Sequence, residues 1–316
     1  MTFAFIFPGQ GSQSVGMMQA WAARAEVRQT FTEASDALGM DLWQLVCEGP
    51  AELLNQTTQT QPAMLAADVA LWRVWRAAGG ATPAMLAGHS LGEYAALVAA
   101  ESLDFADAIR LVRFRAEAMQ AAVPEGVGAM AAILGLDNAV VGEVCAEAGQ
   151  GEVVEAVNLN SPGQVVIAGH KYAVERAMKL AKERGAKRAL PLPVSVPSHS
   201  SLMRPAAEKL LAYLQSVMLR SPTIGVLHNT DVRSHSDAAS IREALALQLH
   251  TPVRWSETIQ ALKLAGVEQV IECGPGKVLS GLTPRIEASL AAIVLSDEAA
   301  LQHALAATQT TTEGAQ

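Results

Sequence analysis

At 316 residues, half of them hydrophobic, with a formal net charge of −8, the chain is long enough to bury a large core and too acidic to be expected on nucleic acid. No apolar run approaches the ~20 residues a bilayer span needs, and Met1-Thr2-Phe3-Ala4-Phe5-Ile6-Phe7 ends at Pro8 without a basic stretch, so it reads as a first strand rather than a signal peptide. Cys47, Cys145 and Cys273 are odd in number and match no metal spacing, which points to a reducing cytoplasm and no metal centre.

Aromatic residues make up only 4% of the chain, so alanine, valine and leucine must fill the core, as suits helices packed on a parallel sheet. Phe3 to Phe7 is followed by Pro8-Gly9-Gln10-Gly11-Ser12-Gln13. Gly9 and Gly11 begin a dinucleotide-type pattern, but Ser14 holds the third glycine position, and Met17 follows Gly16 where a phosphate-binding loop carries lysine. The loop keeps approachable backbone N–H groups at the sheet's C-terminal edge, where open α/β sheets place ligands. A plain structural turn is the alternative. Helical spacing predicts helices over about 17–38, 41–47 and 62–78, the last opened by Thr60-Gln61-Pro62 because proline suits a first helical turn.

Ala84 to Ala87 is an apolar run of strand length, and Leu91, Ala95, Leu97 and Val98 keep helical spacing up to Ala100. Between them, Gly88-His89-Ser90-Leu91-Gly92 fits Gly-x-Ser-x-Gly, a sharp strand-to-helix turn that lifts a serine hydroxyl out of the backbone. Ser90 then stands at a helix N-terminus, whose free N–H groups favour an oxyanion. The alternative is a surface serine in a glycine-rich loop. Asp104 is expected to cap a helix running to about Ala122, with Arg115 on its apolar stripe. A guanidinium cannot shed its charge, so on a buried face it needs an anion. That anion is either an internal carboxylate or a substrate carboxylate gripped bidentately.

Composition shifts near Pro124-Glu125-Gly126. From there the order reads strand (128–134), helix (137–148), strand (153–158), strand (164–168), helix (171–184), strand (187–191), a ferredoxin-like βαββαβ series with Asn158 to Gly163 as hairpin turn. Lys179, Lys182, Arg184, Lys187 and Arg188 make this inserted subdomain locally basic. The chain returns through Pro191 to His199. A helix is expected over about 201–217, a strand near 224–227, helices near 239–249 and 255–264, and a strand over Gln269 to Glu272. The loop Cys273-Gly274-Pro275-Gly276-Lys277 reads as a strand-to-helix turn that is also able to hold an anion, and the polar tail from about Thr308 is expected to be disordered.

Serine needs a base to become a nucleophile. Of seven histidines, His89 adjoins Ser90, but adjacent side chains on a tight turn diverge; His199 lies in a proline-stiffened loop where the chain re-enters the large domain. His199 is the better placed.

Phe7-Pro8-Gly9-Gln10-Gly11-Ser12-Gln13, Gly88 to Tyr94, Arg115, Pro197-Ser198-His199 and Gly274-Pro275-Gly276-Lys277 together resemble the malonyl-CoA:acyl carrier protein transacylases of bacterial fatty acid synthesis. The stretch Asn160 to Gly169 is also similar to the stand-alone bacterial enzymes. The resemblance implies an α/β fold: a large α/β-hydrolase-like domain with a parallel sheet core (1–124 and 196–316) and a small ferredoxin-like subdomain (125–195). It implies Ser90 as the acylated nucleophile, His199 as its base, Arg115 on the malonate carboxylate, and backbone N–H groups of Gln10 and Leu91 at the oxyanion. Gln248 would orient His199 through its carbonyl, and Gln61 and His89 would lie at the pocket. The implied partners are coenzyme A thioesters and an acyl carrier protein, with no cofactor, in a monomer; charge and hydropathy leave no nucleic acid and no membrane as partners, and Lys187 and Arg188 on the basic small subdomain are the expected meeting point for an acidic carrier. Val196-Pro197-Ser198-His199 matches neither the malonyl nor the methylmalonyl version of the tetrapeptide diagnostic in polyketide acyltransferases. The rival readings are a polyketide or malonate decarboxylase acyltransferase, a serine thioesterase, and a carrier-binding module without catalysis.

Overall fold

The computed structural model describes residues 1–194 and 196–309. In chain order, β1 (Phe3–Phe7) leads through helices α1 (Ala25–Leu38), α2 (Leu42–Glu48), α3 (Ala51–Leu54) and α4 (Thr57–Ala77) to β2 (Met85–Gly88), α5 (Gly92–Ala99) and α6 (Phe105–Ala122). A second group comprises β3 (Gly128–Leu134), α7 (Asn138–Gly149), β4 (Val154–Ser161), β5 (Gln164–His170), α8 (Lys171–Glu183) and β6 (Arg188–Pro191). The chain then runs through α9 (Arg204–Leu214), β7 (Gly225–Leu227), α10 (Ala238–Gln248), α11 (Trp255–Leu264), β8 (Gln269–Glu272), α12 (Val278–Ile286), β9 (Ala291–Val294) and α13 (Glu298–Gln309).

The larger sheet has strand order β7-β2-β1-β8-β9, every pair parallel. β1 lies at its centre and is buried throughout, as a strand covered on both faces must be. Its alternation divides the core: Phe3 and Phe5 pack edge-on against Trp75 of α4, and Phe5 also against Trp72, while Ala4 and Ile6 belong with Trp255, Ile259 and Leu262 of α11 on the opposite face. The smaller sheet is antiparallel, in the order β4-β5-β3-β6, which is the ferredoxin-like arrangement. One face carries α7 and α8 over Ile133, Val165 and Ile167. The other presents Met130, Val166, Leu192 and Val194 to a cleft between the sheets.

β4 is the seam. The Leu159 N–H donates to the Val253 carbonyl at 2.9 Å, and the Val253 N–H donates to the Val157 carbonyl at 2.9 Å. The Glu155 carboxylate accepts from the Ser201 N–H at 2.7 Å and its hydroxyl at 2.8 Å.

Several elements differ from expectation, each for a local reason. The first long helix begins only at Ala25, because Arg24 is extended and its guanidinium reaches Glu298 on α13 at 2.9 Å. α4 begins at Thr57, so Pro62 lies inside it. Proline cannot donate to the Thr58 carbonyl four residues back; Arg113 of α6 donates to it instead, at 3.2 Å. Asn158 to Ser161 belong to β4, leaving Pro162 and Gly163 as the turn. The loop 273–277 is a strand-to-helix turn whose anion is internal: the Glu272 carboxylate accepts from the Leu279 and Ser280 N–H groups at 3.1 and 2.7 Å. α12 follows that turn as expected, whereas α3, β9 and α13 were not anticipated. The tail placed at about 308 is still helical through Gln309, whereas 310–316 and the subdomain end at Ser195 lie outside the described residues.

Candidate active site

Three elements of the parallel sheet converge on Ser90. β2 ends at Gly88 and α5 begins at Gly92, and a Cβ on Gly88 would overlap the Gly92 carbonyl, while one on Gly92 would overlap the Phe7 carbonyl. Only glycine lets strand and helix approach this closely. Ser90, between them, has φ 51.

The Ser90 hydroxyl lies 2.8 Å from His199 Nε2, and His199 Nδ1 lies 2.7 Å from the Gln248 carbonyl oxygen. A carbonyl only accepts, so Nδ1 carries the proton and Nε2 presents its lone pair to the serine O–H. His199 is 3% exposed, and burial together with the Arg115 charge pushes its pKa down to about 3. It is therefore a neutral base. The loop that carries it is pinned where the His199 N–H donates to the Leu249 carbonyl at 2.9 Å.

Arg115 is 2% exposed on α6. Nη1 donates to Gln61 Oε1 at 2.8 Å, and Nη2 donates to Gln248 Oε1 at 2.9 Å and to Ser90 Oγ at 3.2 Å. Among the described residues it has no carboxylate partner, and its Nε has no partner at all. The Tyr94 ring lies 5.5 Å from the guanidinium carbon. Of the two anions the sequence left open, the internal one is not in place: Glu93, the carboxylate whose charge Arg115 feels, is held by other donors.

The cleft holds about 440 Å³ and is lined by Gln10, His89, Ser90, Leu91, Arg115 and His199 among others. Among the described residues the Gln10 and Leu91 N–H groups have no internal acceptor. His89 turns away from Ser90, and its Nε2 lies 2.9 Å from Asn160 Oδ1 on β4. Gln61 stays behind Arg115, with its Nε2 3.6 Å from the Met119 sulfur. Lys187 and Arg188 are not at the cleft; they are exposed where edge strand β6 begins, and β6 leads directly to the cleft residues Leu192, Pro193 and Val194.

Sequence reasoning missed a polar group behind the serine. Glu93, His228 and Asn229 are fully buried; His228 Nδ1 lies 2.8 Å from Glu93 Oε1, and the Asn229 N–H donates to Glu93 Oε2 at 2.9 Å. Gln248 also bonds with its side chain, donating from Nε2 to the Ser90 carbonyl at 3.0 Å and to Glu93 Oε2 at 2.9 Å. Glu93 had a signal, an acidic residue three positions past a glycine-flanked serine; His228 and Asn229 had none.

Residues 4–282 match the model of the acyl transferase domain. The chain belongs to the acyl transferase domain family. Among curated acyl transferases it is 59% identical to the malonyl CoA-acyl carrier protein transacylase of Salmonella typhimurium, over 96% of this chain and 98% of that one. It is 45% identical to the protein of the same name from Bacillus subtilis, over 96% of each. Among solved acyl transferases, an acyl-carrier-protein S-malonyltransferase from Burkholderia pseudomallei superimposes with a TM-score of 0.95 at 59% identity, covering 97% of this chain and all of that one. A malonyl-transacylase in complex with a type II polyketide acyl carrier protein superimposes with a TM-score of 0.96 at 56% identity, covering 97% and 100%.

Proposed function

We propose that this chain transfers the malonyl group of malonyl-CoA to the phosphopantetheine thiol of an acyl carrier protein, through a malonyl ester on Ser90. The observation that carries this reading is Arg115, a buried cation without a carboxylate partner among the described residues, within hydrogen-bond distance of the hydroxyl that would carry the acyl group. The free carboxylate of malonate is the anion that the position lacks.

In the reaction so proposed, Ser90 Oγ attacks the thioester carbonyl as its proton passes to His199 Nε2. The Gln10 and Leu91 N–H groups stabilise the oxyanion, each worth roughly 3 kcal/mol by analogy with other oxyanion holes. The C–S bond breaks, and coenzyme A leaves with the proton. The carrier thiol then repeats the sequence in reverse on the ester, a ping-pong exchange. Thioester is consumed and thioester formed, so the chemistry asks for no energy source, metal or cofactor. A monomer is the proposed state. Lys187 and Arg188 are the proposed meeting point for an acidic carrier. Residues 1–124 with 196–316, and 125–195, are the proposed units. Three free cysteines support a cytoplasmic setting, and among the described residues no helix is long and apolar enough to cross a membrane.

Intact mass after mixing with malonyl-CoA tests the reading. One malonyl increment is expected on the wild type, absent from Ser90→Ala protein and discharged by carrier protein. An increment that persists in Ser90→Ala would place the nucleophile elsewhere.

A further inference from the structure

The serine turn raises a question that its glycines do not answer. Ser90 occupies left-handed backbone, φ 51, which an L residue with a side chain does not favour, so something outside the turn must hold it there. The candidate is on another loop, 139 residues further along the chain.

Asn229 follows β7 and is fully buried. Its Nδ2 donates to the Gly88 carbonyl at 2.7 Å, and its Oδ1 accepts the Ser90 N–H at 2.7 Å. One planar amide thus pairs with the peptide groups on both sides of His89, as the backbone of a neighbouring strand would. The loop that carries this amide is anchored in turn, since the Asn229 backbone N–H donates to Glu93 on the helix that follows the serine. From the other side, Gln248 Nε2 donates to the Ser90 carbonyl at 3.0 Å. Two side-chain amides therefore hold Ser90 at both ends.

We propose that Asn229 is a positioning residue for acyl transfer: its amide holds the left-handed Ser90 backbone that aligns the hydroxyl with His199 and leaves the next N–H, that of Leu91, free for the oxyanion. The proposal rests on the function proposed above. Without Asn229, the Gly88 carbonyl and the Ser90 N–H lose their partner together. The backbone is then free to relax toward right-handed φ, carrying Oγ and the Leu91 N–H off line. No contact with the acyl chain is lost.

The test compares Asn229→Leu, which keeps the branching at Cγ but makes neither bond, with Asn229→Asp, which accepts but cannot donate. Expected in both is a fall in kcat of about 100-fold, the scale on which small misplacements act, with KM for malonyl-CoA held within about threefold. The rate of Ser90 modification by a fluorophosphonate should fall in parallel. That probe needs no malonyl group, so it reads the serine's alignment even if the acyl donor is another thioester. Near-wild-type labelling by folded variants would overturn the proposal, as would a change confined to KM. Where the larger side chains prevent accumulation of folded protein, Asn229→Ser repeats the measurement with the same two outcomes.

Discussion

Gln248 faces His199 with a backbone carbonyl rather than a carboxylate, its oxygen 2.7 Å from Nδ1. A carbonyl fixes the tautomer without adding negative charge, and the nearest strong charge is the positive one on Arg115, which lowers the imidazole further after burial has done so. The base that accepts the serine proton is consequently neutral far into acid.

The first prediction concerns pH. With His199 shifted from 6.5 to about 3, the acid limb of kcat/KM should lie well below pH 6.5. Arg115→Gln, assayed with acetyl-CoA, should move that limb upward by removing the cation. An unmoved limb would mean that the imidazole does not feel Arg115. Stability follows the same group. Between pH 6.5 and about 3 the unfolded chain holds the extra proton, so this contribution is full above 6.5 and is lost as pH falls through the window. The slope for one proton is about 1.4 kcal/mol per pH unit, and His199→Asn should flatten it in thermal melts across that range.

Arg115 itself should sort acyl groups. Arg115→Ala should lose malonyl transfer by about 100-fold or more while acetyl transfer survives, because a neutral acyl group no longer faces a buried cation. The clamp should also fix the malonyl ester where water has little room. Acetyl-Ser90 should therefore hydrolyse faster than malonyl-Ser90 in the wild type, as acyl-enzyme lifetimes without acceptor will show. Equal loss of both transfers would make Arg115 a fold residue.

Lys187 and Arg188 are exposed and have no ion pair among the described residues, unlike Arg176 and Arg184 of the same unit, which pair with Glu152 and Glu147. Charge reversal at both should raise KM for carrier protein severalfold at low salt and leave KM for malonyl-CoA unchanged, since rim charges act mainly on association. A carrier response indifferent to the reversal would move the docking surface elsewhere.

Arg113 makes a prediction about the fold alone. It fills the hydrogen bond that Pro62 vacates at Thr58. Arg113→Ala should lower stability by about 1 kcal/mol. In a Pro62→Ala background, where residue 62 can donate for itself, the loss should shrink. A double-mutant cycle by denaturant unfolding measures the coupling, and a cycle showing none would refute the exchange.

What the sequence made legible is what neighbours in sequence decide. The Gly88 to Gly92 turn announces itself because strand, glycines, serine and helix lie within a few residues, and Asp104 caps α6 as its position before a helical stripe implies, accepting from the N–H groups of Ala106 and Asp107. Pro62 was misread because its rescue comes from another helix. Asn158 and Asn160 read as turn residues by composition, yet pairing with β5 makes them strand, with both lining the cleft. Asn229, His228 and Glu93 meet only once β2 and β7 have paired, and no spacing along the chain records that meeting.

The seam along β4 has a consequence for interchange between relatives. Its two bonds to Val253 join main chain to main chain, so they ask nothing of the side chains beyond the absence of proline at the donor positions. What must match is a short set of side-chain partners: Asn160 with His89, Glu155 with Ser201, and Gln164 with Arg285. The antiparallel sheet is thus a replaceable part with a generic hinge and three keyed fittings, two of them beside the residues that perform the chemistry.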